Sequence, residues 1–201
     1  MLKRLLILSF GGLALAGTRA GAQAPAPEII VYASEVKASG LSEFSFWNDP
    51  ASPGGKLIGT VQKGDYLDPP PENDPNVTFT VPVRSGVAYR CWIHMKVGEP
   101  KGVSTANKLF VQFTGAVDEA NKETLRPRTA SYLTAEGPTK VGWTWVACDP
   151  ASGGDRLVRF QSSSEVTVRL QGGAEGVGFD QFILSPARFV EKAPTERVVP
   201  K

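Results

Sequence analysis

The four tryptophans are the residues of this chain best suited to chemistry. Trp143 and Trp145 lie two residues apart, and a strand alternates its side chains with period two, so the pair shares one face of one strand. Trp92 follows Arg90 at the same spacing, and Trp47 stands beside Asn48 at the entrance to a loop rich in turn formers. An indole face stacks on the C–H face of a saturated ring such as a pyranose. The ring's hydroxyls then need planar polar partners, for which Asn48, Arg90, Asn107 and Gln112 are the candidates. The competing use of these indoles is to fill a core, where large aromatic side chains are mostly found.

Catalytic constellations are thin. His94 is the one histidine, so a histidine metal cluster is excluded and a Ser-His-Asp arrangement would rest on it alone. Its place in an alternating strand reads as the solvent-facing side, hence a surface residue. Asp118, Glu119, Asp149, Asp155 and Glu165 are numerous enough for glycoside hydrolysis, but no spacing singles out a pair. Gly54-Gly55 and Gly172-Gly173 read as turns rather than phosphate cradles, because no helix signal follows either. The chain reads as non-catalytic.

One acid asks for a partner. In Ala174 to Pro186 (A-E-G-V-G-F-D-Q-F-I-L-S-P) alternation puts Phe179, Gln181 and Ile183 on one side, with Asp180, Phe182 and Leu184 on the other. A strand apolar on much of both faces belongs in the centre of a two-layer protein. An unpaired charge buried there costs on the order of several kcal/mol.

The elements that position these residues are strands. Short alternating runs recur at Ile29 to Ala33, Glu43 to Trp47, Val77 to Val81, Val87 to Val97, Asn107 to Phe113, Val141 to Ala147, Arg156 to Phe160 and Glu165 to Leu170. In the Val87 run Tyr89, Cys91, Ile93 and Met95 point to a core, while Arg90, Trp92, His94 and Lys96 take the other face. Asn48 to Gly55 and Asp65 to Asn76 read as loops, and Asp118 to Arg128 as a charged connection with one short helix. With 21 glycines, 16 prolines and little helical periodicity, the expected fold is all-β, an antiparallel β-sandwich.

Composition bounds the rest. The chain is 41% hydrophobic and 21% charged, the balance of a globular domain, and its net charge of +2 with no basic run longer than Lys3-Arg4 gives no nucleic-acid surface. Residues 1–22 carry a basic start, an apolar run and the small-residue exit Ala20-Gly21-Ala22, the pattern of a secretory signal peptide cleaved before Gln23. The apolar run is too short and glycine-broken to span a bilayer, so no integral membrane segment is expected in the mature chain. The organisation is then a lead-in over 23–28, one β-sandwich domain over 29–189 and a flexible tail over 190–201. Export to the periplasm or the extracellular space places Cys91 and Cys148 in an oxidising compartment, where they form a disulfide or remain two buried thiols.

Several strings taken in order resemble one family: Ile30-Val31-Tyr32-Ala33-Ser34-Glu35, Tyr89-Arg90-Cys91-Trp92-Ile93, Leu109-Phe110-Val111-Gln112-Phe113, Gly142-Trp143-Thr144-Trp145 and the closing Glu175 to Pro186. They resemble bacterial galactose-binding-like jelly-roll domains akin to exported carbohydrate-binding modules, over Ile29 to about Phe189. The resemblance implies a glycan or polysaccharide ligand. It also implies a structural calcium ion held by an acid after the first strand and an acid in the last, here Glu35 and Asp180. The chain departs from that pattern at Ala33, where many such modules carry a further acid. Without the metal, Asp180 would bond backbone N–H groups near Gly176 and Gly178. The expected function is a non-catalytic carbohydrate-binding module using Trp47, Asn48, Arg90, Trp92, Asn107, Gln112, Trp143 and Trp145. The alternatives are a protein-interaction or envelope-structural domain with an envelope protein partner, and a glycan-acting hydrolase.

Overall fold

The structure is a computed structural model that describes residues 25–60, 67–97, 107–138, 142–151, 153–174 and 176–201. The expected signal peptide, 1–22, and Glu175 lie outside the described residues.

Among the described residues thirteen strands form an antiparallel β-sandwich. In chain order they are β1 Ile29–Tyr32, β2 Leu41–Ser42, β3 Phe44–Asn48, β4 Lys56–Thr60, β5 Asn76–Val83, β6 Ala88–Val97, β7 Lys108–Phe113, β8 Ala116–Val117, β9 Leu133–Glu136, β10 Gly142–Pro150, β11 Leu157–Phe160, β12 Ser164–Gly172 and β13 Gly178–Ser185. Sheet I runs β3-β4-β13-β6. Its β13 also pairs with β1, and β6 pairs with β10 and then with β11, which carries β8. Sheet II runs β2-β5-β12-β7-β9-β10. β10 belongs to both: Gly142 to Ala147 pair with β6, whereas Cys148 to Pro150 pair with β9, so this strand closes one side of the sandwich.

The alternation of β6 sets the layers. Tyr89, Cys91, Ile93 and Met95 point inward and are almost wholly buried against Leu109, Val111 and Phe113 of β7 and Val168 and Leu170 of β12. Phe182 of β13 meets Phe79 edge-on at 5.3 Å and Phe113 at 6.3 Å. Each such fully buried ring contributes roughly 1.5–3 kcal/mol through lost contact with water.

Three expectations need correction. First, the alternation of β13 slips: its pairing with β6 shifts register between Phe179 and Gln181, a β-bulge. Phe179 therefore joins Phe182 and Leu184 in the core, while Asp180 turns outward to bond a side chain of β6's outer face, where Gln181 and Ile183 also lie. Second, 118–128 forms no helix. The Asp118 carboxylate instead accepts the N–H groups of Ala120 and Lys122, and positive φ at Asn121, Leu125 and Arg128 turns the chain. Third, the segment expected to fray, 190–201, packs on the outer face of sheet I. Phe189 and Val199 bury there with Trp92 and Ile183, and the Val199 N–H donates to Gln181 Oε1 at 3.0 Å. A pattern-free tail can bind tightly when its backbone, rather than its side chains, makes the bonds. Strands β4 and β9 are additions. Each is a short run (K-L-I-G-T and L-T-A-E) with weak strand character, recruited by pairing with β3, β13, β7 and β10.

Candidate functional site

The outer face of sheet I gathers the aromatic residues. Trp143 pairs with Lys96 and Trp145 with His94, so all four project from that face together with Trp92, which pairs with Ala147. On the far side of the same sheet, Trp47 of β3 pairs with Leu57, and its indole Nε1 lies 3.5 Å from the point where a Gly59 side chain would begin. Gly59 pairs with Gly178, and Gly178 with Lys96. A floor of two buried glycines, Gly59 and Gly178, thus lies between the Trp47 indole and the Lys96–Trp143 pair, covered by the Leu57 side chain, whose Cδ1 is 3.4 and 3.1 Å from where their side chains would begin.

This floor is ringed by polar groups. Asp49, one residue beyond β3, reaches Lys96 with an Oδ2–Nζ distance of 3.4 Å. Burial alone would raise the Asp49 carboxyl, but the Ala51 N–H, Lys96 and Arg197 together hold it below the ordinary aspartate range. Lys96 Nζ lies 5.7 Å and the Arg197 guanidinium 5.0 Å from the Trp143 ring centroid. Trp47 is 45% exposed and shares with Val198 the position of exposed large hydrophobic side chain among the described residues. Asn48 is exposed beside it.

His94 is not a surface residue. It is 2% exposed, stacked on Trp143 with centroids 4.8 Å apart and tilted against Trp145 at the same separation. Its Nδ1 lies 2.6 Å from Oδ1 of the fully buried Asp180. Strand alternation gave the correct face, but the C-terminal strap covers that face.

The other residues named from the sequence have partners within the fold. Arg90 is buried. It donates to the Cys148 and Arg156 carbonyls, pairs with Asp149 at 2.8 Å and stacks 5.3 Å over Trp92. The Trp92 and Trp145 indoles donate to strap carbonyls, of Phe189 and Glu196 respectively, each at 2.7 Å. Asn107 is buried and donates to the Gly137 carbonyl. Gln112 donates to the Arg126, Thr129 and Ser131 carbonyls and so shapes the loop after β8. Those two face outward from or flank sheet II, away from the tryptophans. Trp47 and Asn48 are exposed, joined by Lys96, Asp49 and Arg197, while Trp143 is half-buried against His94 and the Arg197 guanidinium. Lys96 was legible from its place on the strand, whereas Arg197 carries no sequence signal.

Of the acids considered for hydrolysis, Glu165 is exposed, Asp118 accepts backbone N–H groups of its own loop, and three are engaged by arginines. Asp149 pairs with Arg90 and Arg156, Asp155 with Arg159, and Glu119 with Arg159 at 3.7 Å. The Cys91 and Cys148 sulfurs lie 3.0 Å apart in the core as thiols, where β10 passes from sheet I to sheet II.

The donor set does not fit a calcium ion shared by Glu35 and Asp180. Both Glu35 oxygens lie 2.6 Å from Lys201 Nζ, and one also accepts the Tyr32 N–H. Burial would raise the Glu35 carboxyl, but Lys201 and the Tyr32 N–H hold it below the ordinary value. Asp180 faces His94 and, at 3.9 Å, Arg197. Cationic groups of the chain already stand where a metal would.

Two cavities lie elsewhere. One of about 880 Å³ opens along the seam between β1 and β5, and one of about 730 Å³ lies among the loops around Asp118, Tyr132 and Asp155. Neither contains a tryptophan.

No family model matches the chain, and no curated protein matches its sequence. Solved structures share the fold. A Podospora anserina GH26-CBM35 β-(1,4)-mannanase is 12% identical over 87% of this chain and 30% of its own, with a TM-score of 0.50. A β-1,3-glucan-binding CBM6 from Bacillus halodurans is 12% identical over 78% of this chain and 94% of its own, at 0.47. A family 35 carbohydrate-binding module from Clostridium thermocellum is 13% identical over 78% and 97%, at 0.42. The chain spans less than a third of the mannanase, and at these identities the likeness is one of fold, the jelly-roll β-sandwich.

Proposed function

We propose that this chain is an exported, non-catalytic carbohydrate-binding module that recognises a polysaccharide or cell-envelope glycan on the outer face of sheet I. The observation that carries the reading is the Trp47 indole, exposed at the edge of a glycine floor and flanked by polar side chains. A pyranose stacked on Trp47 would extend over the Leu57 side chain, which covers Gly59 and Gly178. Its hydroxyls would meet Asp49 and Lys96. The fold shared with a chain that contains a CBM35 supports the same reading. Export rests on the pattern of residues 1–22.

A protein-interaction or envelope-structural domain calls for a contiguous exposed apolar patch. Among the described residues the exposed large hydrophobics are Trp47 and Val198, which favours a glycan over an envelope protein partner. Affinity electrophoresis against gluco-, manno- and galacto-configured polysaccharides tests the proposal. Retardation by at least one is expected, and migration unaltered in all of them overturns it.

A further inference from the structure

The C-terminal strap treats the tryptophan face as a ligand would. The indole N–H donors of Trp92, buried, and Trp145, half-buried, both bond strap carbonyls. The Arg197 guanidinium lies over Trp143, on the ring that a sugar would stack against. We propose that the Arg197 side chain occupies a second glycan subsite at Trp143 and is displaced from it when a glycan chain extends from Trp47 past Leu57. This rests on the glycan reading of the same face.

The Arg197 backbone is held, its carbonyl accepting from Gln181 Nε2 at 3.1 Å, so exchange falls to the guanidinium. Its Nη2 lies 3.9 Å from Asp180 Oδ2, beyond hydrogen-bond distance, and neither atom has a hydrogen-bond partner among the described residues. Its other contacts are the stack on Trp143 and a bond from Nη1 to the Ala51 carbonyl, in the loop that borders Trp47. A ligand extending past Leu57 therefore touches the loop that helps hold Arg197. Around it the side chains of Thr195, Val198 and Pro200 are exposed, while the Glu196 carbonyl accepts from Trp145, Val199 bonds Gln181 and Tyr32, and Lys201 is tied to Glu35. A positively charged side chain stacked on an indole is a fair mimic of a sugar's C–H face, since both present partial positive charge to the ring.

The energetic consequence follows from population arithmetic. If a subsite is open in a fraction of the molecules, the apparent affinity falls by that fraction, so a subsite open in about one molecule in ten weakens binding about tenfold. Freeing the subsite should recover that factor, but only through Trp143.

The test compares the full chain, Arg197→Ala, a chain ending at Pro194, and each of the last two combined with Trp143→Ala. Binding is measured by titration calorimetry with β-1,3-gluco- and β-1,4-manno-oligosaccharides, and folding by thermal melting. Acrylamide quenching of tryptophan fluorescence reads exposure of the face without any ligand. The expected result is greater quenching and an affinity raised about tenfold in Arg197→Ala and in the shortened chain. Trp143→Ala should remove that gain. Affinity unchanged or reduced in folded variants, with the full chain still binding through Trp47, overturns the strap proposal alone. If no variant binds either sugar while quenching rises, the glycan reading of the face falls with it.

Discussion

His94 and Asp180 meet in a buried pair, Nδ1 to Oδ1 at 2.6 Å, because a one-residue bulge turns Asp180 away from the core of sheet I toward β6. Without the bulge Asp180 would point among Phe182, Phe113 and Phe79, where no polar partner exists to receive it. The bulge thus solves the problem that the sequence poses, with a histidine in the role expected of a calcium ion or of backbone N–H groups. His94→Ala and Asp180→Ala should each cost about 3 kcal/mol, because each leaves one buried polar group behind. The double variant should cost clearly less than the sum. Urea denaturation measures all three, and strictly additive costs would show that the pair is not coupled.

Acid should loosen the end of the strap. Glu35 has its carboxyl held below the ordinary value of 4.5, so the stabilisation it provides is present above that pH and is lost as the pH falls through the lowered folded value. Amide exchange of Val199 and Lys201 should accelerate on acidification below that range relative to the core strands. Glu35→Gln should show the faster exchange already at neutral pH. Exchange rates that follow only the intrinsic acid dependence in both proteins contradict the Glu35–Lys201 tie.

Calcium removal should leave the melting temperature unaltered. A metal bound only by the folded state must raise stability with its concentration, and Lys201 already neutralises Glu35. Melting in chelator and in millimolar calcium decides it, and a rise with calcium would restore a metal to this end of the sandwich.

The thiol pair should be inert in the folded chain. Burial, followed by the neighbouring Cys148, pushes the Cys91 thiol well above its ordinary value, so little thiolate forms. Iodoacetamide should label reduced protein only in denaturant. Refolding in a glutathione redox buffer should join Cys91 to Cys148, closing a separation of 57 residues and adding about 4 kcal/mol by the chain-entropy argument. Equal labelling with and without denaturant, or a disulfide that leaves the melting temperature unaltered, would contradict this.

The layers were legible because strand alternation is a local property. β6 and β10 carry their faces in the order of Cys91, Trp92, Ile93 and of Trp143, Thr144, Trp145, and the sandwich places them accordingly. What covers those faces was not legible. Strand spacing cannot tell an outward face open to water from one overlaid by 186–201, whose hold depends on carbonyls that every residue possesses. Hence Trp92, assigned to the correct side, turned out buried under the strap, while His94 lies beneath Trp143 and Trp145 and Arg90 beneath Asp149. The bulge was equally hidden, since a one-residue slip follows from the pairing with β6 and leaves the strand's own composition unaltered.

The central claim is that an exposed indole, Trp47, receives a glycan while buried Trp92 supports the fold. Affinity electrophoresis of Trp47→Ala beside the unaltered chain tests it most directly, with thermal melting of both and of Trp92→Ala. Trp47→Ala should lose its retardation while its stability stays within about 0.5 kcal/mol, as for a surface substitution. Trp92→Ala should lose about 3–5 kcal/mol from the packing of sheet I against the strap. Retardation by polysaccharide that persists undiminished in Trp47→Ala would contradict the account.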